Sequence, residues 1–581
     1  MVSLVRAEAE RVMREALVRV FHASGELLES WVAQVAYPSD SPLAHVAFPC
    51  HALARNLKMS PQAIASLLSA DLQNARGKSL VKEARAVGGY LNFSVDVDAL
   101  FSLLEHRQSV GSEQRDESPA KVDVEFSQPN THKFLHVGHL RNMIYGEAVC
   151  NLLQAAGTNV IRSTFPGDMG AHVAKCLWYI KKYQGQTIPA VPDVHWLGRM
   201  YCDSDAFLKG LTGTMEEQAA RDEIGVVLRD LEAHEGPLYP LYQETRRWSL
   251  DAMEETYRWL GIRFDRWYFE SECDVESRRL VLEKYQEGFF RKSQGAIGLD
   301  LGEYDLGFVI FLKSDGAGLY ITKDLELLKQ KFSDPEVESS IVVVDSRQKL
   351  HFKQLFKTAE LMGYPQAKRS LHLSYEAVTD EQGAAFSSRD RNGIHLDELR
   401  QRMHDRVFQD YLVQYRGQWS EEEIQATADQ IVLGALKYGF LKYDAGKIIK
   451  FVLDEWIQME GNTGPYLQYT FARCCSLLGK VERVPVETTP VLETELEQDL
   501  VLFLEQFPET IRQAATSHRP SVACSYLFDL AKAFNRVYKE CPIRTASNPA
   551  VRNTRLGLVA LVARTLREGL GLLGIPCPER L

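Results

Sequence analysis

The run VDVEFS, followed by a loop, by HLRNMIYGEAVCNLLQAAG and by TNVIRSTF, constrains this chain more than any other part of it. The outer segments read as buried strands. In the middle one, Leu140, Ile144, Ala148 and Leu152 recur at helical spacing, and Gly157 stands where a helix stops. Strand, helix and strand in that order make a right-handed crossover, which forces the two strands to lie parallel. Parallel-sheet character resumes in FVIFLKSDG, GLYITKDLELL and SIVVVDS, so the expected centre is a doubly wound α/β sheet. A mostly helical stretch at about 183–250 interrupts that pattern and reads as an insertion.

The rest of the chain divides around this sheet. Residues 1–110 close in GGYLNFSVDVDALFSLLEHRQ, a strand-like alternation running into a short helix, and predict an α+β domain. SVGSEQRDESPAK, polar and without periodicity, is the linker candidate. Residues 121–400 hold the sheet, and residues 401–581 are helix-patterned throughout, as in an all-α bundle. With 581 residues and 45% apolar composition, the chain has the size and make-up of three or four globular domains. The amino terminus has arginines but also Glu8, Glu10 and Glu15, which fits an amphipathic helix rather than a transit peptide. No apolar run reaches the ~18 residues of a membrane span. Ten scattered cysteines without a C-x-x-C argue for a reducing, cytoplasmic setting and against a structural metal site. The formal charge is −11, yet from Val501 onward eleven lysines and arginines face six acidic residues, a basic region on an acidic protein.

Chemistry concentrates in P-N-x-x-K-x-x-H-V-G-H-L-R, Pro129 to Arg141. It falls where the first strand of the sheet hands over to its helix, at the edge where ligands bind such folds. A helix amino terminus there attracts phosphate, and Gly138 allows close approach of a ligand to the backbone. His136 and His139 are placed to donate hydrogen bonds to charge developing on that phosphate.

These residues resemble the HIGH signature of class I aminoacyl-tRNA synthetases and, in detail, the arginyl-tRNA synthetase family. The similarity continues in GDMG (Gly167–Gly170), where Met169 stands for the family's tryptophan, in GLYITKD, in DSRQKLHFKQLF, in GNTGPYLQYTFAR and in the ending GLLGIPCPERL. The resemblance implies a Rossmann-like catalytic domain that activates arginine with ATP and transfers it to the terminal ribose of tRNA. It implies an arginine pocket of Glu125, Asn130, Tyr320, Asp324 and Gln348, since a planar guanidinium is best matched by carboxylates. It also implies tRNA contacts by Tyr90 and Asn92 in GGYLNF and by Tyr466 and Gln468 in GPYLQY. Magnesium is expected with the ATP, and a monomer is usual for the family.

The second phosphate loop departs from the family's K-M-S-S-R-K-G-N. Here it reads AAFSSRDRNG: Ala385, Ser388 and Asp390 replace lysines, and Ser387, Ser388, Arg389 and Asn392 remain for ATP. Lys133, three residues before His136, is the expected substitute cation at the α-phosphate. Two alternatives stay open: an arginine-activating paralogue serving a non-tRNA or biosynthetic acceptor, and a catalytically silent tRNA-binding protein.

Overall fold

A computed structural model describes residues 3–37, 45–74, 80–106, 120–183, 188–384, 386, 395–480 and 489–581. The linker candidate falls almost wholly outside these residues, as do Ala385 and the expected ATP contacts Ser387, Ser388, Arg389 and Asn392.

The amino-terminal domain packs helices α1 (Leu4–Phe21) and α2 (Pro61–Asn74) on three antiparallel strands, β1 (Val46–Pro49), β2 (Val81–Val87) and β3 (Tyr90–Val95). GGYLNF supplies the central strand of the order β1-β3-β2. Gly88 and Gly89 both take positive φ, 58° and 87°, which the tight hairpin between β2 and β3 requires.

The central sheet is parallel, with strands β4 (Lys121–Glu125), β5 (Asn159–Thr164), β6 (Arg266–Trp267), β10 (Val337–Asp345) and β11 (Leu371–Tyr375) in the order β11-β10-β4-β5-β6. The chain leaves β4 through α3 (Val137–Ala155) toward β5, and it leaves β10 through α10 (Lys349–Leu361) in the opposite direction toward β11. The crevice where the two windings diverge opens at the carboxyl ends of β4 and β10. Helix α3 sits as its pattern demands: Leu140, Ile144, Ala148 and Leu152 are all buried, and Gly157 follows its end at φ 97°.

Between β5 and β6 run four helices, α4 (Ala171–Tyr183), α5 (Val194–Gly210), α6 (Met215–Glu232) and α7 (Tyr239–Leu260), with their own apolar cluster around Trp196, Tyr201 and Trp248. Helix α8 (Glu270–Gln286) then leads into an antiparallel sheet of β7 (Arg291–Ser293), β8 (Ala296–Asp300) and β9 (Phe308–Leu312). This corrects one expectation. FVIFL is not a strand of the parallel sheet, and GLYITKDLELL adds no strand to it but carries helix α9 (Tyr320–Phe332), as the helical spacing of Leu325, Leu328 and Phe332 implies, so only SIVVVDS joins the parallel sheet, as β10. A five-residue apolar run carries no information about the direction of its partner.

The carboxy-terminal part is helical. It includes α11 (Leu396–Val407), α12 (Glu421–Leu441), α13 (Gly464–Lys480), α14 (Glu495–Glu505), α15 (Phe507–Thr516), α16 (Pro520–Glu540) and α17 (Pro549–Leu572). The amino-terminal domain docks on this bundle: Glu505 accepts from Val5 N at 3.1 Å and from Tyr37 Oη at 2.5 Å, and Arg6 pairs with Glu509 at 2.9 Å. Among the described residues no helix is long and apolar enough to cross a membrane.

Candidate active site

At the head of α3, His136 is the N-cap residue. Its Nδ1 accepts from Gly138 N–H at 3.1 Å, and His139 Nδ1 accepts from His136 N–H at 3.1 Å. The rings stand 4.0 Å apart. Because each Nδ1 is an acceptor, a neutral ring carries its proton on Nε2, so each histidine offers one fixed N–H donor. Burial, helped by His395, holds His136 down to about 4, and burial with the charges of His136 and Lys133 keeps His139 well below its ordinary value. Both are neutral donors at physiological pH. The Gly138 N–H is engaged by His136 within the protein. Gly138 is needed for a steric reason: a Cβ there would lie 2.9 Å from the His136 ring.

The opposite wall is acidic and largely paired within the protein. Glu125 ends β4 at 5% exposure, with Oε2 2.7 Å from Lys331 Nζ and Oε1 accepting from Gln128 at 3.1 Å. Lys331 is fully buried and also pairs with Asp123 at 2.7 Å. Burial alone would strip its proton, but Asp123 and Glu125 outweigh that and hold the ammonium charged. Burial pushes Glu125 up against the pull of Lys331, and Asp324 lies near enough to raise it further. Asp324 Oδ2 accepts from His351 Nε2 at 2.5 Å.

Asn130 bridges to Gly167 of GDMG, and a Cβ on Gly167 would meet Asn130 Oδ1 at 2.3 Å and Glu270 Oε1 at 3.4 Å. That glycine lets an amide and a third carboxylate close over it. Glu270, on the first turn of α8, sits 3.2 Å from Lys323 Nζ; burial lifts it to about 7 against the pull of Lys323. Asp168 is fully buried and anchors the insertion, accepting from Arg246 Nε at 2.6 Å and from Ser271 N and Oγ at 2.9 and 2.7 Å. Met169 packs with Phe134 in the insertion's apolar cluster. Tyr320, at the first position of α9, is 73% exposed, and Gln348 is exposed on a short 3₁₀ turn before α10.

Of the expected arginine pocket, the fold sets Asp324 near both Glu125 and Glu270, and Asn130 shares the space over Gly167 with Glu270. Sequence reasoning missed Glu270, Lys331 and His351. His351 had a signal, lying three residues after Gln348 in QKLH; a lysine inside a helix and a lone glutamate in YFESE had none.

Two expected tRNA contacts need correction. Gln468 is fully buried, and its Nε2 donates to the carbonyls of Gln430 and Pro576, each at 2.8 Å, so it ties α13 to α12 and to the carboxyl terminus rather than facing outward. Asn92 is only 9% exposed, whereas Tyr90 is 45% exposed and stands edge-on to His51 with ring centroids 5.4 Å apart. Tyr466 is half-buried and its hydroxyl accepts from Asn535 at 2.9 Å. Beside it the surface carries a group not foreseen: Arg473 lies between the rings of Tyr469 and Tyr538, 4.8 and 5.1 Å from their centroids, and both tyrosines are exposed. Several of the basic residues counted after Val501 are paired internally, Arg555 with Glu497 at 2.5 Å, Arg519 with Asp444 and Arg512 with Glu509.

A five-stranded parallel sheet with a histidine pair capping the helix at its switch point defines the catalytic domain of a class I aminoacyl-tRNA synthetase. The family described as class I (R) tRNA synthetases, catalytic domain, matches residues 99–453; the DALR anticodon binding domain matches 467–581; and the arginyl tRNA synthetase N terminal domain matches 8–95. An arginine–tRNA ligase of Bdellovibrio bacteriovorus is 41% identical, with 99% of each chain covered. One of Phocaeicola vulgatus is 32% identical over 86% of this chain and 88% of the relative. The solved arginyl-tRNA synthetase of Thermus thermophilus superimposes with a TM-score of 0.81 at 28% identity, covering 99% of this chain and all of that one. The chain belongs to the arginyl-tRNA synthetase family.

Proposed function

We propose that this site joins arginine to tRNA in two steps. The arginine carboxylate attacks the α-phosphorus of ATP, giving arginyl-adenylate and pyrophosphate. A ribose hydroxyl at the 3′ end of tRNA(Arg) then attacks the activated carbonyl, forming the ester and releasing AMP. Magnesium arrives with the ATP, held by phosphates and water.

The observation that carries this reading is the neutral histidine cradle at the head of α3, directly after the strand that ends in the buried carboxylate Glu125. His136 and His139 donate through Nε2–H to the oxygens that gain charge at the α-phosphorus. Being neutral beforehand, they take no proton from the reaction and act as fixed dipoles. Lys133, at the entrance to α3, brings the full positive charge as a mobile ammonium. Ser387, Ser388 and Arg389 belong to the second phosphate loop. Across from the histidines, Asp324 and Glu125 face the guanidinium, Asn130 and Glu270 meet the amino-acid end near Gly167, and Tyr320 and Gln348 close the mouth.

On tRNA, Tyr90 offers a braced, exposed ring for a D-loop base, with Asn92 as its supporting wall. Tyr469, Arg473 and Tyr538 next to Tyr466 form a stacking surface for unpaired anticodon bases. The protein works as a cytoplasmic monomer; its ten cysteines, none of them in a disulfide, support a reducing compartment.

The test is pyrophosphate exchange and aminoacylation with arginine and lysine, each with and without tRNA(Arg). Arginine-specific exchange and stable arginyl-tRNA are expected. Arginine activation without any transfer to tRNA would point to another acceptor, and tRNA binding without exchange would point to a silent paralogue.

A further inference from the structure

Helix α7 of the insertion holds the loop before α3 at His132, through Thr245 and Ser249, and α5 reaches it at the next two residues. On α5, Gly198 and Tyr201 are three apart and share a face. Gly198 meets Phe134: a Cβ there would lie 2.7 Å from the Phe134 ring, so only glycine lets the helix come this close. Tyr201 meets Lys133, whose Nζ stands 5.2 Å from the centre of its ring. Phe134 in turn stacks on His395 at 3.8 Å, the residue that follows the second phosphate loop, and His195 of α5 pairs with Asp397 at 3.2 Å. Helix α5 therefore meets the loop before α3 at Lys133 and Phe134 and the start of α11 at Asp397.

The Tyr201 ring is 1% exposed and serves two cations. Lys175 Nζ lies 4.4 Å from its centre, but Lys175 also pairs with Asp205 at 2.5 Å, on the next turn of α5. An adjacent carboxylate thus compensates the charge of Lys175. The charge of Lys133 is felt at His139 and His172, the first in the HVGH cradle and the second donating through Nε2 to Gly167 O at 3.1 Å.

We infer that Tyr201 is a positioning residue for the activation step: its π face holds the Lys133 ammonium beside the HVGH cradle before ATP arrives. A lysine stem is flexible, and a ring face that receives its ammonium narrows the positions the charge takes. A ring face attracts a cation without accepting its proton, and it gives the cation up when phosphate approaches. This fits a loop that has lost its own lysines, because a single remaining ammonium has to be in place at each turnover. It also gives the insertion a part in the chemistry. The inference rests on the reading of Lys133 given above.

The test varies the ring's charge distribution at nearly constant shape. In the full-length protein, position 201 is filled with phenylalanine and then with 4-fluoro-, 3,5-difluoro- and 3,4,5-trifluorophenylalanine, which progressively weaken the negative face. Arginine-dependent pyrophosphate exchange is measured, with thermal melting as the control for folding. The expected result is a stepwise fall in kcat, ~10-fold across the series, with KM for arginine and melting temperature unchanged. The slope should persist in Lys175→Met and vanish in Lys133→Ala. A flat series in a protein where Lys133→Ala is itself slow overturns the role of Tyr201 and leaves that of Lys133 standing. A slope that survives Lys133→Ala also overturns it. Full activity of Lys133→Ala removes both readings together.

Discussion

In the site proposed above, the carboxylates assigned to arginine and the histidines assigned to phosphate solve opposite electrostatic problems. At the arginine end the protein has more negative charge than it can leave bare, and it stores that charge in internal partners: Glu125 against Lys331, Asp324 against His351, Glu270 against Lys323. At the phosphate end it presents neutral donors, with His136 held at about 4, and relies on the dipole of α3 and on Lys133. The arginine end selects by exchange, because an incoming guanidinium has to outbid partners already in place. The phosphate end accelerates by geometry, since donors that need not reorganise stabilise charge as it forms.

The strongest way to break this contrast is Asp324→Ala. It leaves a buried guanidinium without its carboxylate, a loss of about 4 kcal/mol or ~1,000-fold. We expect KM for arginine to rise by that order while tRNA affinity, read by filter binding, stays the same. An unchanged KM would take Asp324 out of the pocket. Next in size, Lys133→Ala should slow adenylate formation ~100-fold, about 2.7 kcal/mol, with arginine binding nearly intact. Adding Ser388→Lys to that variant should recover part of the loss in the same exchange assay, because the second loop then regains a lysine.

The smallest effect sharpens the contrast through pH. Burial places Glu270 at about 7, so as pH rises through that value it loses a proton and the pocket gains a negative charge. KM for arginine should therefore fall ~5-fold from pH 6 to pH 8, and Glu270→Gln should flatten the curve. The histidines contribute no step there, since both stay neutral over that range. An inflection that survives Glu270→Gln would assign it to another group.

How much of this was legible in the sequence depended on whether the signal was local. Helix α3 could be read because its periodicity and its stop at Gly157 lie within twenty residues. The direction of FVIFL could not, because pairing with Ala296–Asp300 is decided by the turn between them and leaves no trace in the run itself. Motif membership located Gln468 and Asn92 in the correct elements but gave no burial, and burial turned both inward. Lys331 was invisible for the plainest reason. A lysine in KQKF reads as a solvated face, and its partners Asp123 and Glu125 lie about two hundred residues earlier in the chain.

That buried lysine also bears on the order in which the molecule assembles. Strands β4 and β10 pair directly, Glu125 opposite Val342, although more than two hundred residues separate them. Joining them is a long-range closure, and such closures come late because the chain entropy is surrendered before the contacts reward it. The ammonium of Lys331 has to shed its water in that same step, since it is fully enclosed only once the two strands and α9 are together. Because Lys331 bonds Asp123 and Glu125 of β4 and Ser340 of β10, the pairing of these strands and the placing of the Glu125 carboxylate depend on each other.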